Sequence, residues 1–161
     1  MSELTAEVVR SLLDYNPETG VFTWRVKAGS RMPGTIAGSP DSLGYIKIAI
    51  RKKDYRAHRL AWLHVHGKWP DDMVDHIDGN PANNAISNLR DVSTVVNQQN
   101  HRKAKSTNKS GLLGVSRKAK CSTARIKVGG KVIFLGCFKT DEEAHAAYLE
   151  AKRLLHAGCT I

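Results

Sequence analysis

Alternating and helix-periodic apolar residues predict a β-rich N-terminal half. Within residues 44–50, isoleucine occupies positions 46, 48 and 50, which is typical of a strand with one buried face. Residues 57–66 have apolar side chains at helical spacing and are followed by Gly67, which predicts a helix that ends at this glycine. A strand over 21–26 and a short helix capped by Thr5 complete the predicted elements of this region.

The last fifty residues predict three strands and one helix. The strands cover 113–116, 123–128 and 131–135, and Gly129-Gly130 between the last two indicates a hairpin. Residues 141–156 form the predicted helix, whose small apolar residues suit close packing on one face of the sheet. The other face is expected to present Arg125, Lys127, Val132 and Phe134.

Residues 73–100 join these two regions and carry most of the candidate chemistry. A short apolar approach leads to Asp75 and His76, and an asparagine-rich loop follows. Residues 89–92 predict a second strand, and Ser93 is suited to cap a helix that carries Asn97. A strand, loop, strand and helix in this order can bring Asp75, His76 and Asn97 to one point.

These three side chains fit the hydrolysis of a phosphodiester. A neutral imidazole, with a pKa of about 6.5, can take a proton from water near neutral pH. A carboxylate and an amide oxygen are ligands suited to Mg²⁺. Because adjacent strand residues point to opposite sides, Asp75 and His76 would approach the phosphate from different directions.

The segment resembles the HNH nucleases, a ββα-metal class found among phage homing endonucleases. The resemblance rests on Asp75-His76 at the end of a strand, Asn88 in the loop and Asn97 on the helix. It implies that Asp75 and Asn97 bind a divalent metal ion, Mg²⁺ with Mn²⁺ as a substitute. It also implies that His76 is the general base and that Asn88 holds the loop by hydrogen bonds. The alternative is an ordinary turn-rich loop without catalytic function.

The basic composition favours a polyanionic partner. Lys and Arg number 25 against 15 Asp and Glu, which gives a net charge of +10. Such an excess is typical of proteins that bind nucleic acid, although a solvated basic surface without a partner is the alternative. The candidate contacts to double-stranded DNA are His58, Arg59, Arg102, Lys103, Lys105, Lys109, Arg117, Lys118, Arg125, Lys127 and Phe134.

Cysteine usage and hydropathy indicate an intracellular protein without a structural zinc ion. Cys121, Cys137 and Cys159 are isolated and have no zinc-ribbon spacing, and their odd number favours a reducing compartment. No apolar run approaches membrane-spanning length. We therefore expect a cytoplasmic protein with no membrane partner and no small-molecule cofactor. The resemblance to phage HNH nucleases implies that a phage encodes it and that a bacterium is its host.

The C-terminal region resembles the DNA-binding domain of plant ethylene-response factors, versions of which are fused to phage HNH nucleases. The resemblance rests on residues 112–115, 134–138 and 142–148, and it implies a three-stranded sheet that enters the major groove. Ser116 stands where the plant family often has arginine, and the tryptophan of the second strand is missing. Base preference therefore does not transfer.

The sequence thus predicts an α+β protein with two domains. Residues 1–107 form the nuclease domain with its β-rich lead-in and a core over 56–103, and residues 108–161 form the DNA-binding domain. The expected function is metal-dependent hydrolysis of DNA, as in a homing-type endonuclease. A non-catalytic DNA-binding regulator and an RNA-binding module are the alternatives. A monomer would nick one strand, whereas a homodimer could cut both.

Overall fold

A computed structural model describes residues 4–27, 29–104 and 106–160 and divides into two compact units. The N-terminal unit ends at Ser93, and the C-terminal unit begins at Thr94. Both units combine helices with small antiparallel sheets, so the predicted α+β class is confirmed. None of the helices in these described residues has the length and apolar character needed to span a lipid bilayer.

The described residues of the N-terminal unit form two helices and seven short strands. Its elements are α1 (Ala6–Leu12), β1 (Leu13–Tyr15), β2 (Phe22–Trp24), β3 (Ser39–Pro40), β4 (Ile46–Ile50), β5 (Lys53–Arg56), α2 (Ala57–His66), β6 (Met73–His76) and β7 (Leu89–Val92), with a 3₁₀ turn at Ile86–Asn88. Strand pairs β1–β2 and β6–β7 stand beside a three-stranded sheet in the order β3-β4-β5. The two strands β6 and β7 are the ones predicted around the candidate site.

One apolar core holds these elements together. Ile48 of β4, Leu60 and Leu63 of α2 and Leu13 of β1 are almost completely buried. Helix α2 ends, as predicted, at Gly67, whose φ of 75° is the left-handed conformation that glycine adopts without strain. Because Val74 of β6 and Leu89 of β7 belong to the same core, the β6–β7 pair is anchored beneath the candidate site.

The C-terminal unit consists of a three-stranded antiparallel sheet and two helices. Its elements are α3 (Thr94–Gln99), β8 (Val115–Arg117), β9 (Ser122–Val128), β10 (Lys131–Phe138) and α4 (Asp141–Leu155), with the sheet order β10-β9-β8. The predicted hairpin is present, since Val128 pairs with Lys131 across the two glycines. Thr140 caps α4 by accepting a hydrogen bond from the Glu143 backbone N–H at 3.1 Å.

Helix α4 packs on the sheet face that the sequence predicted. Ala124 and Ile126 of β9 are buried together with Ala144 and Tyr148 of α4. Leu155, in the last turn of α4, is 44% exposed. The opposite face has Arg125 paired with Phe134 and Lys127 paired with Val132, as the alternation predicted.

Helix α3 belongs to the C-terminal unit. The Gly158 backbone N–H donates to Gln99 Oε1 at 3.0 Å, and buried Lys152 donates from Nζ to the His101 carbonyl at 2.5 Å. These bonds tie the segment after β7 to the end of the chain. The compact unit therefore starts before residue 108, where the sequence placed the beginning of the DNA-binding domain.

Two of the three cysteines form a pair that the sequence did not predict. Cys121 and Cys137 are joined by a disulfide with a Cα–Cα distance of 6.0 Å. Cys121 lies in the turn before β9 and Cys137 on the adjacent strand β10, so the pair depends on the sheet register and is not visible from their spacing. Cys159 is free. The sequence analysis expected all three cysteines to be isolated, and the disulfide shows that this expectation was wrong for Cys121 and Cys137.

Gly114 offers a test of how closely α4 packs on the sheet. A Cβ atom on Gly114 would lie 2.0 Å from the Tyr148 ring, whereas one on Gly111 would meet no atom within 4 Å. Both glycines have positive φ, so Gly111→Ala isolates the backbone cost, about 1–2 kcal/mol. We expect Gly114→Ala to lower the free energy of unfolding by about 1–3 kcal/mol more. Urea unfolding of the two variants measures the difference, and equal losses would contradict the close packing.

Candidate active site

The antiparallel pair β6–β7 sets the positions of Asp75 and His76. Asp75 lies opposite Arg90, and His76 lies opposite Leu89. Both residues are largely buried, at 7% and 5% exposure. Because successive strand residues alternate between faces, Val74 enters the core while Asp75 is turned away from it.

Asp75 forms an ion pair across the two strands. Arg90 Nε and Nη2 both donate to Asp75 Oδ2, at 2.9 and 2.8 Å. Charge-assisted bonds of this kind hold a carboxylate in a fixed orientation. A carboxylate has two oxygens and about four acceptor directions, so this ion pair and a bound cation are not mutually exclusive.

Asn88 holds the loop between β6 and β7. Its Oδ1 accepts from the Asp78 backbone N–H at 3.0 Å, and its Nδ2 donates to Asp78 Oδ1 at 3.0 Å and to the Asn83 carbonyl at 2.8 Å. The Ile77 N–H also donates to the Asn88 carbonyl at 2.9 Å. The hydrogen bonds expected from the resemblance are thus present, and they fix the chain immediately after His76.

Asp78 is kept ionised by the same loop. Partial burial acts to raise the pKa of Asp78, but hydrogen bonds from Asn80, Asn83 and Asn88 outweigh it, so the pKa lies below its usual value. The loop thereby places a negative charge near His76 at neutral pH.

The imidazole of His76 lies in a tightly lined site. Its Nε2 is 3.2 Å from Asn84 Oδ1, and its ring centroid is 5.0 Å from that of His58 and 5.9 Å from that of Tyr45. Burial lowers the pKa of His76, and the opposing effects of Asn84, Asp78 and Asp75 do not restore it. His76 is therefore neutral near pH 7, the state that a general base needs.

His58 packs edge-on against the ring of His76 and is itself uncharged near pH 7. Burial is the main cause that lowers the pKa of His58 to about 3, and His76, when it is protonated, Arg56 and Arg59 act in the same direction. The Nδ1 atom of His58 is buried without a hydrogen-bond partner among the described residues. Only 5% of His58 is exposed, so its position favours packing against His76 over contact with DNA.

Asn84 contacts the imidazole of His76 but was not singled out by the sequence. It is one of several asparagines in the loop, and only burial to 2% exposure and the bond to His76 distinguish it. A local pattern could not separate it from Asn80 or Asn83. Arg90 was also missed, because its contact with Asp75 depends on the pairing of β6 with β7, which the local sequence does not show.

Asn97, the second predicted metal ligand, lies on α3 in the C-terminal unit. Within residues 4–27, 29–104 and 106–160 there is no cluster of three or more His, Cys, Asp or Glu side chains that could hold a metal ion. A site built from Asp75 would therefore need neutral oxygen donors. Carboxylate and amide oxygens fit Mg²⁺, which keeps several water ligands of its own.

Some of the predicted DNA contacts form hydrogen bonds or ring contacts inside the protein, and others are exposed lysines. Arg125 lies over the Phe134 ring at 5.9 Å on the exposed sheet face. Arg59 donates to the Asp72 carbonyl, Arg102 to Thr160 and Arg117 to Asp141. Lys105 lies outside the described residues. The exposed lysines of the set are Lys103, Lys109, Lys118 and Lys127.

Comparison with known proteins places this site in the matched part of the chain. Residues 55–102 match the family model described as HNH endonuclease. Protein 3.8 of Escherichia phage T7 is 44% identical over 62 residues, which cover 38% of this chain and 50% of that protein. This chain thus spans about half the length of that curated relative.

A solved structure of DNA binding and cleavage by the HNH homing endonuclease I-HmuI is also similar. It shares 27% identity with a TM-score of 0.46, and the match covers 62% of this chain and 57% of that one. The family match contains Asp75, His76, Asn88 and Asn97 and ends before β8. The segment therefore resembles an HNH endonuclease domain, and the sheet of the C-terminal unit lies beyond the match.

The neutral state of His58 predicts a loss of stability in acid. The unfolded chain takes up a proton at this position below pH 6.5, whereas the folded protein does so only near pH 3. The free energy of unfolding should therefore fall as pH decreases through this range, by up to about 1.4 kcal/mol per pH unit. We expect His58→Phe to make this fall less steep in urea unfolding between about pH 6 and pH 4. His66→Phe, at the exposed end of α2, is the matched control, and an unchanged slope in His58→Phe would contradict the assignment.

Proposed function

We propose that this protein is a divalent-metal-dependent endonuclease that hydrolyses phosphodiester bonds of double-stranded DNA. The carrying observation is the placement of Asp75 and His76 at the end of β6, beside a loop held by Asn88, inside the segment that matches the HNH endonuclease family. We further infer a role as a homing-type nuclease of a phage or mobile element, acting in the bacterial cytoplasm.

His76 acts as the general base in this proposal. Its neutral imidazole removes a proton from a water molecule, and the resulting hydroxide attacks the phosphorus atom. The bond from phosphorus to the 3′ oxygen breaks, and the 3′ oxygen takes up a proton from solvent. The products carry 5′-phosphate and 3′-hydroxyl ends.

Asp75 and Asn97 would hold the metal ion. A bound divalent cation, Mg²⁺ or Mn²⁺, would neutralise the charge that develops on the phosphate and the leaving oxygen. Arg90 fixes the Asp75 carboxylate from the neighbouring strand, so this ligand is oriented before any substrate binds. Asn88 contributes indirectly, because it sets the path of the chain beyond His76.

The C-terminal unit is proposed to bind duplex DNA through the sheet face opposite α4. Arg125, Lys127, Val132 and Phe134 are exposed there, and Val132 and Phe134 are exposed apolar residues at 64% and 58%. Arginine can recognise guanine in the major groove, and apolar groups can contact thymine methyls. This assignment follows the resemblance to ethylene-response factors. Lys103 and Lys109 would add contacts to phosphates that do not depend on base sequence.

A non-catalytic DNA-binding regulator is the second candidate. The specific observation in its favour is the Asp75–Arg90 ion pair, because a guanidinium can neutralise a carboxylate that no longer serves a metal. The two candidates differ in one property: only the endonuclease cleaves DNA when a divalent cation is added.

Replacing His76 tests the proposed chemistry. We expect His76→Ala to lower the rate of Mg²⁺-dependent nicking of supercoiled plasmid by about 10²–10⁴-fold, since a general base typically contributes that much. DNA affinity, measured by fluorescence anisotropy, should remain nearly unchanged. His66→Ala is the matched control on an exposed site. Nicking at the parental rate by His76→Ala would exclude His76 as the base.

Replacing Arg125 tests the division of labour between the two units. Arg125→Ala should cost about 1–3 kcal/mol of binding free energy at the preferred site if Arg125 makes a bidentate base contact. Lys103→Ala should instead weaken all sequences alike and flatten the dependence of affinity on salt. Competition binding with specific and random duplexes separates the two effects. If Arg125→Ala keeps its full site preference, this sheet face does not recognise DNA bases and is only a solvated surface.

A further inference from the structure

We propose that Asn84 is a positioning residue that fixes His76 as the Nε2–H tautomer, so that Nδ1 is the nitrogen that takes the proton from water. The contact of His76 Nε2 with Asn84 Oδ1 determines which ring nitrogen carries hydrogen. The role of Nδ1 in hydrolysis rests on the function proposed above.

The contact between the two side chains determines which ring nitrogen carries hydrogen. His76 Nε2 lies 3.2 Å from Asn84 Oδ1. A neutral imidazole has one N–H donor and one acceptor nitrogen, and an amide oxygen only accepts. Hydrogen must therefore be on Nε2, which leaves the lone pair on Nδ1.

The orientation of the Asn84 amide is itself fixed by a second bond. Asn84 Nδ2 lies 3.2 Å from the Ala82 carbonyl oxygen, which can only accept a hydrogen bond. If the amide were rotated by 180°, its oxygen would face this carbonyl oxygen and its nitrogen would face His76. The repulsion between two acceptors excludes that rotamer, so Oδ1 faces the imidazole.

The N-terminal hairpin β1–β2 holds the backbone of Asn84 from the other side. Tyr15 Oη donates to the Asn84 carbonyl at 2.7 Å, and the Ile86 N–H donates to the Pro17 carbonyl at 3.0 Å. Gly20, between the two strands, approaches so closely that a Cβ atom would lie 2.2 Å from the Asn84 carbonyl carbon. A residue far from the loop in sequence thus fixes the side chain that orients the base.

The arrangement has a defined proton path. When Nδ1 accepts a proton from water, the ring becomes an imidazolium, and its Nε2–H remains bonded to Asn84 Oδ1. The amide oxygen is a neutral acceptor, so it stabilises this cation by its dipole without taking the proton. Return of the Nδ1 proton to solvent restores the neutral base.

The tautomer can be read directly by NMR of the full-length protein with ¹⁵N-labelled histidine. At a pH where His76 is neutral, we expect a protonated-type ¹⁵N shift for Nε2 and an unprotonated-type shift for Nδ1. We also expect a visible Nε2–H proton signal, because a buried, hydrogen-bonded N–H exchanges slowly with water. A protonated-type shift at Nδ1 would overturn the proposal without any variant.

Three variants separate the role of Asn84 from a general effect on the loop. Asn84→Leu removes the acceptor and should abolish the slow Nε2–H signal and leave a mixture of tautomers. Asn84→Asp keeps an acceptor at the same place and should retain the Nε2–H tautomer. Asn80→Leu is the matched control, because Asn80 lies in the same loop but is exposed and bonds to the Ala82 backbone N–H. Retention of the wild-type signal in Asn84→Leu contradicts the proposal, and should that variant not fold, the wild-type and Asn84→Asp spectra decide it.

Activity gives a separate readout. If the protein is a nuclease, kcat of Asn84→Leu should fall about 10- to 100-fold, the range typical when the partner that orients a functional histidine is lost. The Asn84→Asp variant should recover part of that loss. Absence of cleavage by the wild type together with the expected tautomer would refute the proposed function but not the role of Asn84. Cleavage by the wild type with the opposite tautomer would refute the role of Asn84 alone.

Discussion

The antiparallel pairing of β6 with β7 is the constraint on which the candidate site depends. In this register Val74 and Leu89 enter the core, while Asp75 meets Arg90. A slip of one residue would turn every side chain of β6 to the opposite face. Val74 would then leave the core and Asp75 would lose its partner. Apolar burial thus fixes the direction in which the two polar residues point.

The loop between these strands is polar, and its polar groups are satisfied internally. A buried donor or acceptor without a partner costs about 1–3 kcal/mol, so a loop of this kind persists only with a nearly complete set of hydrogen bonds. Asn88 and Asp78 bond to each other twice, and Asn83 donates to the second oxygen of Asp78. The asparagine-rich composition follows from this requirement, since each amide both donates and accepts. The result is a rigid frame around His76.

Local patterns in the sequence were sufficient for the parts of the fold that local chemistry determines. The sequence placed helix α2 at 57–66 and strand β7 at 89–92, and the structure has the same bounds. It also placed Asp75 and His76 at the end of a strand. Gly67 and the isoleucines of β4 are local signals, and they needed no knowledge of distant contacts.

The features that the sequence did not predict depend on contacts between distant residues. Tyr15 and Asn84 are 69 positions apart, and no spacing rule connects them. The disulfide between Cys121 and Cys137 requires the register of β9 and β10, and the grouping of α3 with the C-terminal unit requires bonds to the last residues of the chain. For His58 the sequence favoured packing or a phosphate contact over metal binding, and the burial of His58 against His76 depends on contacts that the sequence does not show.

Asp75 is the residue whose replacement tests the account most directly, because it links the β6–β7 register to the proposed metal ion. The measurement is cleavage of end-labelled duplex DNA over a range of Mg²⁺ concentrations, with the ends of the products mapped. The account predicts Mg²⁺-dependent cleavage by the wild-type protein that leaves 5′-phosphate and 3′-hydroxyl ends, and no detectable cleavage by Asp75→Ala. Full activity of Asp75→Ala at low Mg²⁺, or cleavage by the wild type that persists in a chelator, would contradict it.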